Sequence, residues 1–160
     1  MRLMREYVDQ MKKDFEHEDI RLCFIGSREP FSPELQADME YLERVTAERK
    51  CRLCIAVNYG GRAEITHAVK EIAAKVKSGE LSVDEITESV VNNSIYTAGQ
   101  PDPDIIVRPS GEYRLSNFMT WQSAYSEFWY SDVLWPDFTE EDVNKMLFDY
   151  QKRNRRFGGV

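Results

Sequence analysis

The residues best suited to chemistry lie in one polar segment, residues 108–118, which follows a short apolar stretch. Arg108 and Arg114 flank a flexible Ser-Gly pair, and Ser116 lies where the next helix is expected to begin. Guanidinium groups bind phosphate oxygens with paired hydrogen bonds, and a helix start adds a hydroxyl and free amide groups. The segment therefore predicts a site for an anion, and a diphosphate would need this many donors. The alternative is a polar surface loop in which Arg108 pairs with Glu112, an interaction that stabilises little.

A second loop, the Asn-Tyr-Gly-Gly-Arg sequence at residues 58–62, also separates a predicted strand from a predicted helix. Its glycine pair allows a tight turn and close backbone approach, and the start of the following helix favours an anion. A strand-to-helix turn that needs glycine for structural reasons alone has the same spacing, and this interpretation is favoured here. The loop matches neither of the common glycine-rich nucleotide motifs.

The Cys-x-x-Cys spacing of Cys51 and Cys54 is shared by redox and zinc sites. These cysteines lie inside an apolar segment, residues 51–57, that is expected to form a buried strand. Residues three apart in a strand point to opposite faces, so the two thiols are interpreted as structural. Three cysteines and no signal-peptide pattern are typical of a reducing cytoplasm.

The elements that must position these loops alternate between extended and helical patterns, which predicts an α/β fold with a largely parallel sheet. In such sheets, ligands bind where strands end and lead into helices. The whole chain, residues 1–160, is interpreted as one domain. Strands are predicted at residues 20–25, 51–57, 104–107 and 133–135. Helices are predicted at 1–15, from Pro33 with Leu35, Met39, Leu42 and Val45 facing inward, at 61–78, from Ser82, at 118–128 and from Thr139.

Composition limits the classes of partner. The 160 residues carry a formal net charge of −7, which argues against nucleic-acid binding. Any anionic ligand must therefore be held by a local cluster of arginines. No apolar run approaches the roughly 20 residues of a membrane-spanning helix.

The chain resembles the cis-prenyltransferases, the undecaprenyl diphosphate synthase family. The resemblance extends over residues 1–159 and rests on ordered, correctly spaced motifs: Asn58-Tyr59-Gly60-Gly61-Arg62, Arg108-x-Ser110-Gly111-Glu112-x-Arg114-Leu115-Ser116-Asn117-Phe118, Trp121-Gln122, Ala124-Tyr125-x-Glu127, Leu134-Trp135-Pro136-Asp137-Phe138 and Arg153-x-Arg155-Arg156-Phe157-Gly158-Gly159. It implies a central, mainly parallel sheet flanked by helices, in a cytoplasmic homodimer. It also implies that isopentenyl units are added in cis to an allylic diphosphate such as farnesyl diphosphate, with release of pyrophosphate.

The resemblance also implies site residues. Arg108, Arg114 and Ser116 would bind the diphosphate of isopentenyl diphosphate, with Leu115 between them, and Glu127 would help to hold Mg²⁺. The tail at residues 155–159 would lie near the subunit interface, and the lipid product could bring the protein to a membrane surface.

The spacing of Ser116 and Glu127 raises a geometric question. If residues 117–127 form one unbroken helix, these two residues share a face but lie roughly 16 Å apart along it. Either the helix breaks, or Glu127 acts in a different shell, including one across the dimer.

Two departures from the family are visible. Pro109 replaces the usual Thr or Ser and removes a backbone N–H beside Arg108. The family's Met-Asp-Gly-Asn-Gly-Arg and Ser-x-Glu-Asn-Trp motifs do not occur in this sequence. The chain is therefore expected to lack the N-terminal strands of the fold, to contain no catalytic aspartate motif and to be inactive by itself, with a strand edge open to another chain.

Three hypotheses follow. The first is a cis-prenyltransferase chain without its N-terminal third. The second is a non-catalytic partner subunit that supplies the isopentenyl diphosphate site to a complete subunit. The third is an unrelated α/β phosphate-binding module.

Overall fold

A computed structural model of the chain describes residues 2–15 and 18–153. These residues divide into two compact units, Met1–Ala98 and Gly99–Val160. The interpretation of the chain as one domain stays a prediction. The helices and strands, in chain order, are α1 (Arg2–Asp14), β1 (Ile20–Ile25), α2 (Pro33–Val45), β2 (Cys51–Ala56), α3 (Gly61–Ser78), α4 (Glu88–Asn92), β3 (Ile105–Arg108), β4 (Glu127–Tyr130) and α5 (Glu140–Gln151).

The first unit is built on the parallel pair β1 and β2, which align from Ile20 opposite Cys51 to Ile25 opposite Ala56. Helices α1 and α2 pack beside this pair, because their apolar stripes must be buried against another element. The buried cluster comprises Val8, Leu22, Phe24, Leu35, Met39 and Leu42. The predicted α/β fold with parallel strands is thus confirmed.

Side chains of α2 and the turn after it accept hydrogen bonds from two backbone amides of β1. The backbone N–H of Leu22 donates to Thr46 Oγ1 over 2.9 Å, and that of Phe24 donates to Glu43 Oε1 over 2.8 Å. Strand β2 was predicted to be buried, but Cys51, Arg52 and Leu53 are exposed in the described part of the chain. The predicted burial of β2 is therefore wrong for the first three residues of the strand.

Local end signals set the helix boundaries. Ser32 accepts a hydrogen bond from the Leu35 amide at the start of α2, and Gly79 ends α3 in the left-handed conformation, as predicted. Val45, predicted to face inward, is 46% exposed because α2 buries its inner stripe only as far as Leu42.

Ser82 begins a shorter element than predicted. The Ser82 N–H donates to Glu85 Oε2 over 2.8 Å, but the three residues that follow Ser82 form only a 3₁₀ turn. Helix α4 begins separately, after Thr87, whose hydroxyl accepts from the Val90 amide.

The second unit contains the parallel pair β3 and β4, with Ile105 opposite Glu127 and Arg108 opposite Tyr130. Thr139 caps α5 as predicted. The extended segment predicted at residues 133–135 is wrong, because Trp135–Asp137 form a 3₁₀ turn with Pro136 in its first turn. The predicted interface tail at residues 155–159 lies outside the described residues.

Candidate functional site

Arg108 ends β3, at the carboxyl edge of the β3–β4 pair. Its backbone carbonyl accepts from the Ser131 amide over 3.1 Å, which fixes the residue where strand becomes loop. The guanidinium atom Nε of Arg108 is buried and has no hydrogen-bond partner among the described residues. A buried donor without a partner is costly, and a ligand oxygen would remove this cost. The position predicted from the sequence is therefore confirmed, and its chemistry suits an anion.

The loop after Arg108 is held against the segment that follows β4. The amide of Ser110 donates to the Val133 carbonyl over 2.8 Å, and the amide of Gly111 donates to the Ser131 carbonyl over 2.9 Å. Gly111 has φ +65°, and a Cβ there would lie 3.3 Å from Asp132 Oδ1. The loop is thus a turn anchored by backbone hydrogen bonds, which can hold Arg108 on one side and Arg114 on the other.

Arg114 lies on the far side of this turn, with its side chain 70% exposed. Its Nη2 atom lies 2.5 Å from Glu112 Oε2. The alternative interpretation of the sequence paired Glu112 with Arg108, but the structure pairs it with Arg114. Because the guanidinium is exposed, this ion pair stabilises little and can exchange for another anion.

Ser116 does not begin a helix. Ser116, Asn117 and Met119 have φ values of +51°, +63° and +48°, which a right-handed helix cannot contain. The helix predicted at residues 118–128 is therefore wrong: turns and a 3₁₀ segment, Gln122–Tyr125, occupy this region, and then β4 begins. Ser116 is exposed and Leu115 half-buried. Of the two geometric alternatives, the broken helix is observed.

Glu127 is the first residue of β4, where its amide donates to the Asp104 carbonyl over 2.9 Å. Its Oε2 atom accepts from Arg153 Nη1 over 2.7 Å, and the same nitrogen donates to the Phe128 carbonyl. The strands are parallel, so Glu127 lies at their amino ends and Arg108 at their carboxyl ends, roughly 10 Å apart at ~3.3 Å per residue. The structure thus brings Arg108, Glu112 and Arg114 into one loop region but does not bring Glu127 to it.

The described residues offer few ligands for a metal ion. Among residues 2–15 and 18–153, no group of three His, Cys, Asp or Glu side chains could hold one. Glu127 offers a single carboxylate, one of whose oxygens is already bonded to Arg153. Mg²⁺ is commonly bound by one or two carboxylates together with water and phosphate oxygens. Glu127 therefore suits a Mg²⁺ ion whose other ligands are phosphate oxygens and water.

The second loop, residues 58–62, interlocks with the end of β1 in the first unit. Asn58 has φ +45°, its side-chain amide donates to the Ser27 carbonyl over 3.1 Å, and its carbonyl accepts from the Ser27 amide over 3.4 Å. Gly60 is the N-cap of α3, which begins at Gly61 without a side-chain cap. The predicted strand-to-helix turn is confirmed.

Sequence reasoning missed Glu64, a fully buried carboxylate in the first turn of α3. Its oxygens accept from the Tyr59 hydroxyl over 2.6 Å and from the Tyr96 amide over 3.0 Å. A signal was available, because Glu64 lies four and eight residues before Ala68 and Ile72 on the buried face of the helix.

No helix in the described part of the chain is long and apolar enough to cross a membrane.

Comparisons with known proteins agree with this architecture. The family model described as "Putative undecaprenyl diphosphate synthase" matches residues 1–158. An isoprenyl transferase of Clostridium perfringens is 46% identical over the whole of this chain, and the chain spans 64% of that protein. A ditrans,polycis-undecaprenyl-diphosphate synthase of Pasteurella multocida, described as specific for (2E,6E)-farnesyl diphosphate, is 42% identical over the whole chain, which spans 67% of it.

The fold is similar to that of lavandulyl diphosphate synthase from Lavandula x intermedia, whose crystal structure contains dimethylallyl diphosphate. The TM-score is 0.91 at 36% sequence identity, and the match covers 98% of this chain and 70% of the plant enzyme chain. Because the family model matches nearly all of the sequence, the chain belongs to the undecaprenyl diphosphate synthase family of cis-prenyltransferases.

Proposed function

We propose that the native protein transfers prenyl groups, condensing isopentenyl diphosphate units in cis onto an allylic diphosphate such as farnesyl diphosphate to give a polyprenyl diphosphate. Membership of the family supports this reaction class. The observation that carries the proposal is the buried Nε of Arg108, which has no hydrogen-bond partner within residues 2–15 and 18–153. It lies at the carboxyl end of β3, where ligands of parallel sheets bind.

Arg108 and Arg114 would hold the diphosphate of isopentenyl diphosphate. Arg108 offers a buried donor. Arg114 offers an exposed guanidinium, which gives up a weak ion pair with Glu112 when it binds the diphosphate. Ser116 and Leu115 continue the loop, and the Ser116 hydroxyl is accessible to a phosphate oxygen. Pro109 has no amide to contribute, so side chains must supply more of the donors in this chain.

Mg²⁺ is part of this proposal, with Glu127 as a ligand. When bound, the ion would neutralise charge on the diphosphates. The separation of Glu127 from Arg108 along β3 and β4 favours an arrangement in which Glu127 serves the second subunit of a homodimer.

The alternative is a non-catalytic partner subunit that supplies the isopentenyl diphosphate loop to a complete subunit. The described residues offer donors for one diphosphate, and the family's Asp-Gly-Asn-Gly-Arg motif is absent from the sequence. We therefore expect the 160-residue chain by itself to show no prenyl transfer, under either alternative. We further propose a cytoplasmic protein that meets membranes through its lipid product.

The first test is Arg114→Ala in the native full-length protein. Loss of a charge-assisted contact costs about 1.5–3 kcal/mol, so the KM for isopentenyl diphosphate should rise about tenfold or more. The assay measures incorporation of labelled isopentenyl diphosphate onto farnesyl diphosphate with Mg²⁺. Arg44→Ala, which removes an exposed arginine at the end of α2, is the matched control. An unchanged KM and kcat in Arg114→Ala would contradict the assignment.

The second test concerns Glu127. Glu127→Gln should raise the Mg²⁺ concentration needed for half-maximal rate, and unchanged metal dependence would remove the metal role. Mixing Arg114→Ala subunits with Glu127→Gln subunits tests the arrangement. If the two residues of one site come from different subunits, random reassociation should restore about a quarter of the sites. If one subunit supplies both, the mixture should be no more active than the two variants measured separately.

A further inference from the structure

The buried carboxylate of Glu64 connects two separate segments of the first unit. Its Oε2 atom accepts from the hydroxyl of Tyr59, in the loop at residues 58–62, and its Oε1 atom accepts from the backbone amide of Tyr96. The Tyr96 ring also stacks on His67 of α3, with centroids 5.0 Å apart, and lies edge-on to the Tyr59 ring. The loop and the residues around Tyr96 are therefore held together through the first turns of α3.

A carboxylate is an expensive group at this position. Glu64 is fully buried on the helix face that also buries Ala68 and Ile72, where an apolar side chain would normally lie. Burying an ionised carboxylate is tolerated only when hydrogen bonds compensate for the lost water. An apolar residue would fill the space but could not bond to Tyr59 and Tyr96. Glu64 is thus suited to this position by its hydrogen bonds to Tyr59 and Tyr96, not by packing.

The loop that Glu64 holds is part of the carboxyl edge of β1 and β2. The amide of Val57 donates to the Ile25 carbonyl over 2.9 Å, and Asn58 bonds twice to Ser27. This is the edge at which open parallel sheets bind their ligands. The residue after β1, Gly26, leaves no room between the two loops for a side chain. A small displacement of Tyr59 would consequently shift the backbone at the carboxyl ends of both β1 and β2.

We propose that Glu64 is a positioning residue for prenyl transfer: it holds the loop at residues 58–62, through Tyr59, in the conformation that turnover requires. The inference rests on the proposed function and adds a residue, outside the diphosphate loop, on which the rate depends. Glu64 acts through Tyr59 and touches no substrate itself.

Three variants of the native full-length protein separate positioning from simple stability. Glu64→Ala removes the hydrogen bonds to the Tyr59 hydroxyl and the Tyr96 amide, and Tyr59→Phe removes the one to the Tyr59 hydroxyl. In Glu64→Gln, the side-chain oxygen can still accept from the Tyr96 amide, and the NH₂ group can donate to the Tyr59 hydroxyl oxygen. We expect kcat/KM to fall about tenfold or more in the first two variants, the fold-change typical of a lost charge-assisted hydrogen bond, and to stay within about threefold of wild type in Glu64→Gln.

Hydrogen exchange of the amides at residues 58–62, measured well below the unfolding transition, gives a readout independent of activity. It should accelerate in Glu64→Ala and Tyr59→Phe and not in Glu64→Gln. Glu40→Ala is the control, because it removes an exposed carboxylate from α2, away from the Tyr59–Glu64–Tyr96 contacts, and should change neither measurement.

Wild-type kcat/KM in folded Glu64→Ala and Tyr59→Phe would overturn the proposal, even if both unfold at lower temperature. A wild-type protein without prenyl transfer would refute the proposed function instead. In that case the exchange data alone decide whether Glu64 holds the loop, and unchanged exchange in both variants would refute this as well.

Discussion

Substitution of Gly26 by alanine tests the interlock between the ends of β1 and β2. Gly26 has φ +115°, and an added Cβ would lie 2.1 Å from the Val57 carbonyl oxygen and 3.2 Å from that of Asn58. These neighbours are backbone atoms and cannot rotate away, so the two loops must separate. The backbone conformation costs about 1–3 kcal/mol for a residue with a side chain. Losing two loop hydrogen bonds, such as those between Ser27 and Asn58, adds about 2 kcal/mol.

We therefore expect Gly26→Ala to lower the free energy of unfolding by about 3–5 kcal/mol, a large part of the stability of a typical domain. Urea unfolding followed by circular dichroism measures this change. Gly79→Ala is the matched control, since Gly79 also has positive φ, +80°, but no atom in the described part of the chain lies within 4 Å of its added Cβ. It should cost only about 1–2 kcal/mol. If the two variants agree within about 0.5 kcal/mol, the steric argument is refuted.

Three further predictions concern single contacts. Trp129→Phe removes the 3.1 Å hydrogen bond to Asp149 and should lower the unfolding free energy by about 1–2 kcal/mol in thermal melts. The hydrogen bond from the Thr139 backbone lowers the pKa of Asp142, so its stabilisation is present above the ordinary pKa of 3.8 and lost as pH falls through the folded value. Asp142→Asn should abolish this acid dependence in pH titrations of helix content. Burial raises the pKa of Tyr96 above 10.0, so stability should fall as pH rises from 10 toward the folded value, and Tyr96→Phe should remove that fall in melts on both sides of pH 10.

The parts of the fold that the sequence predicted well are those with local signals. Ser32 and Thr139 bond to amides or side chains within three residues, so their roles as helix caps are visible in a short window. Gly79 ends α3 for an equally local reason, since its φ of +80° suits glycine.

The region between Ser116 and Glu127 could not be predicted in this way. Phe118, Trp121 and Tyr125 recur at helical spacing, but a strand with a distant partner determines the structure. The amide of Glu127 bonds to the carbonyl of Asp104, 23 residues earlier, and local periodicity contains no information on that pairing. Tertiary hydrogen bonds thus override the pattern that favoured a helix.

For the candidate site, the sequence predicted the position of Arg108 but not the charge pairing around it. A strand end is a local feature, whereas the partner of Glu112 depends on how the loop folds back through Gly111. The position of Glu64 on the buried face of α3 could have been predicted from its spacing to Ala68. Its hydrogen-bond partners could not, because Tyr96 lies 32 residues further along the chain.

The register of β3 and β4 decides which motif residues can share a ligand. In a parallel pair, residues at the carboxyl end of one strand neighbour those at the carboxyl end of the other. Arg108 is therefore next to Ser131, whose carbonyl binds the loop amide of Gly111, and Asp132 accepts from the hydroxyl of Tyr113 over 3.3 Å. A diphosphate bound at Arg108, as proposed, would meet this segment after β4, because Glu127 begins the same strand at its other end. Motif order along the chain cannot reveal this, since Glu127 lies closer in sequence to the arginine loop than Asp132 does.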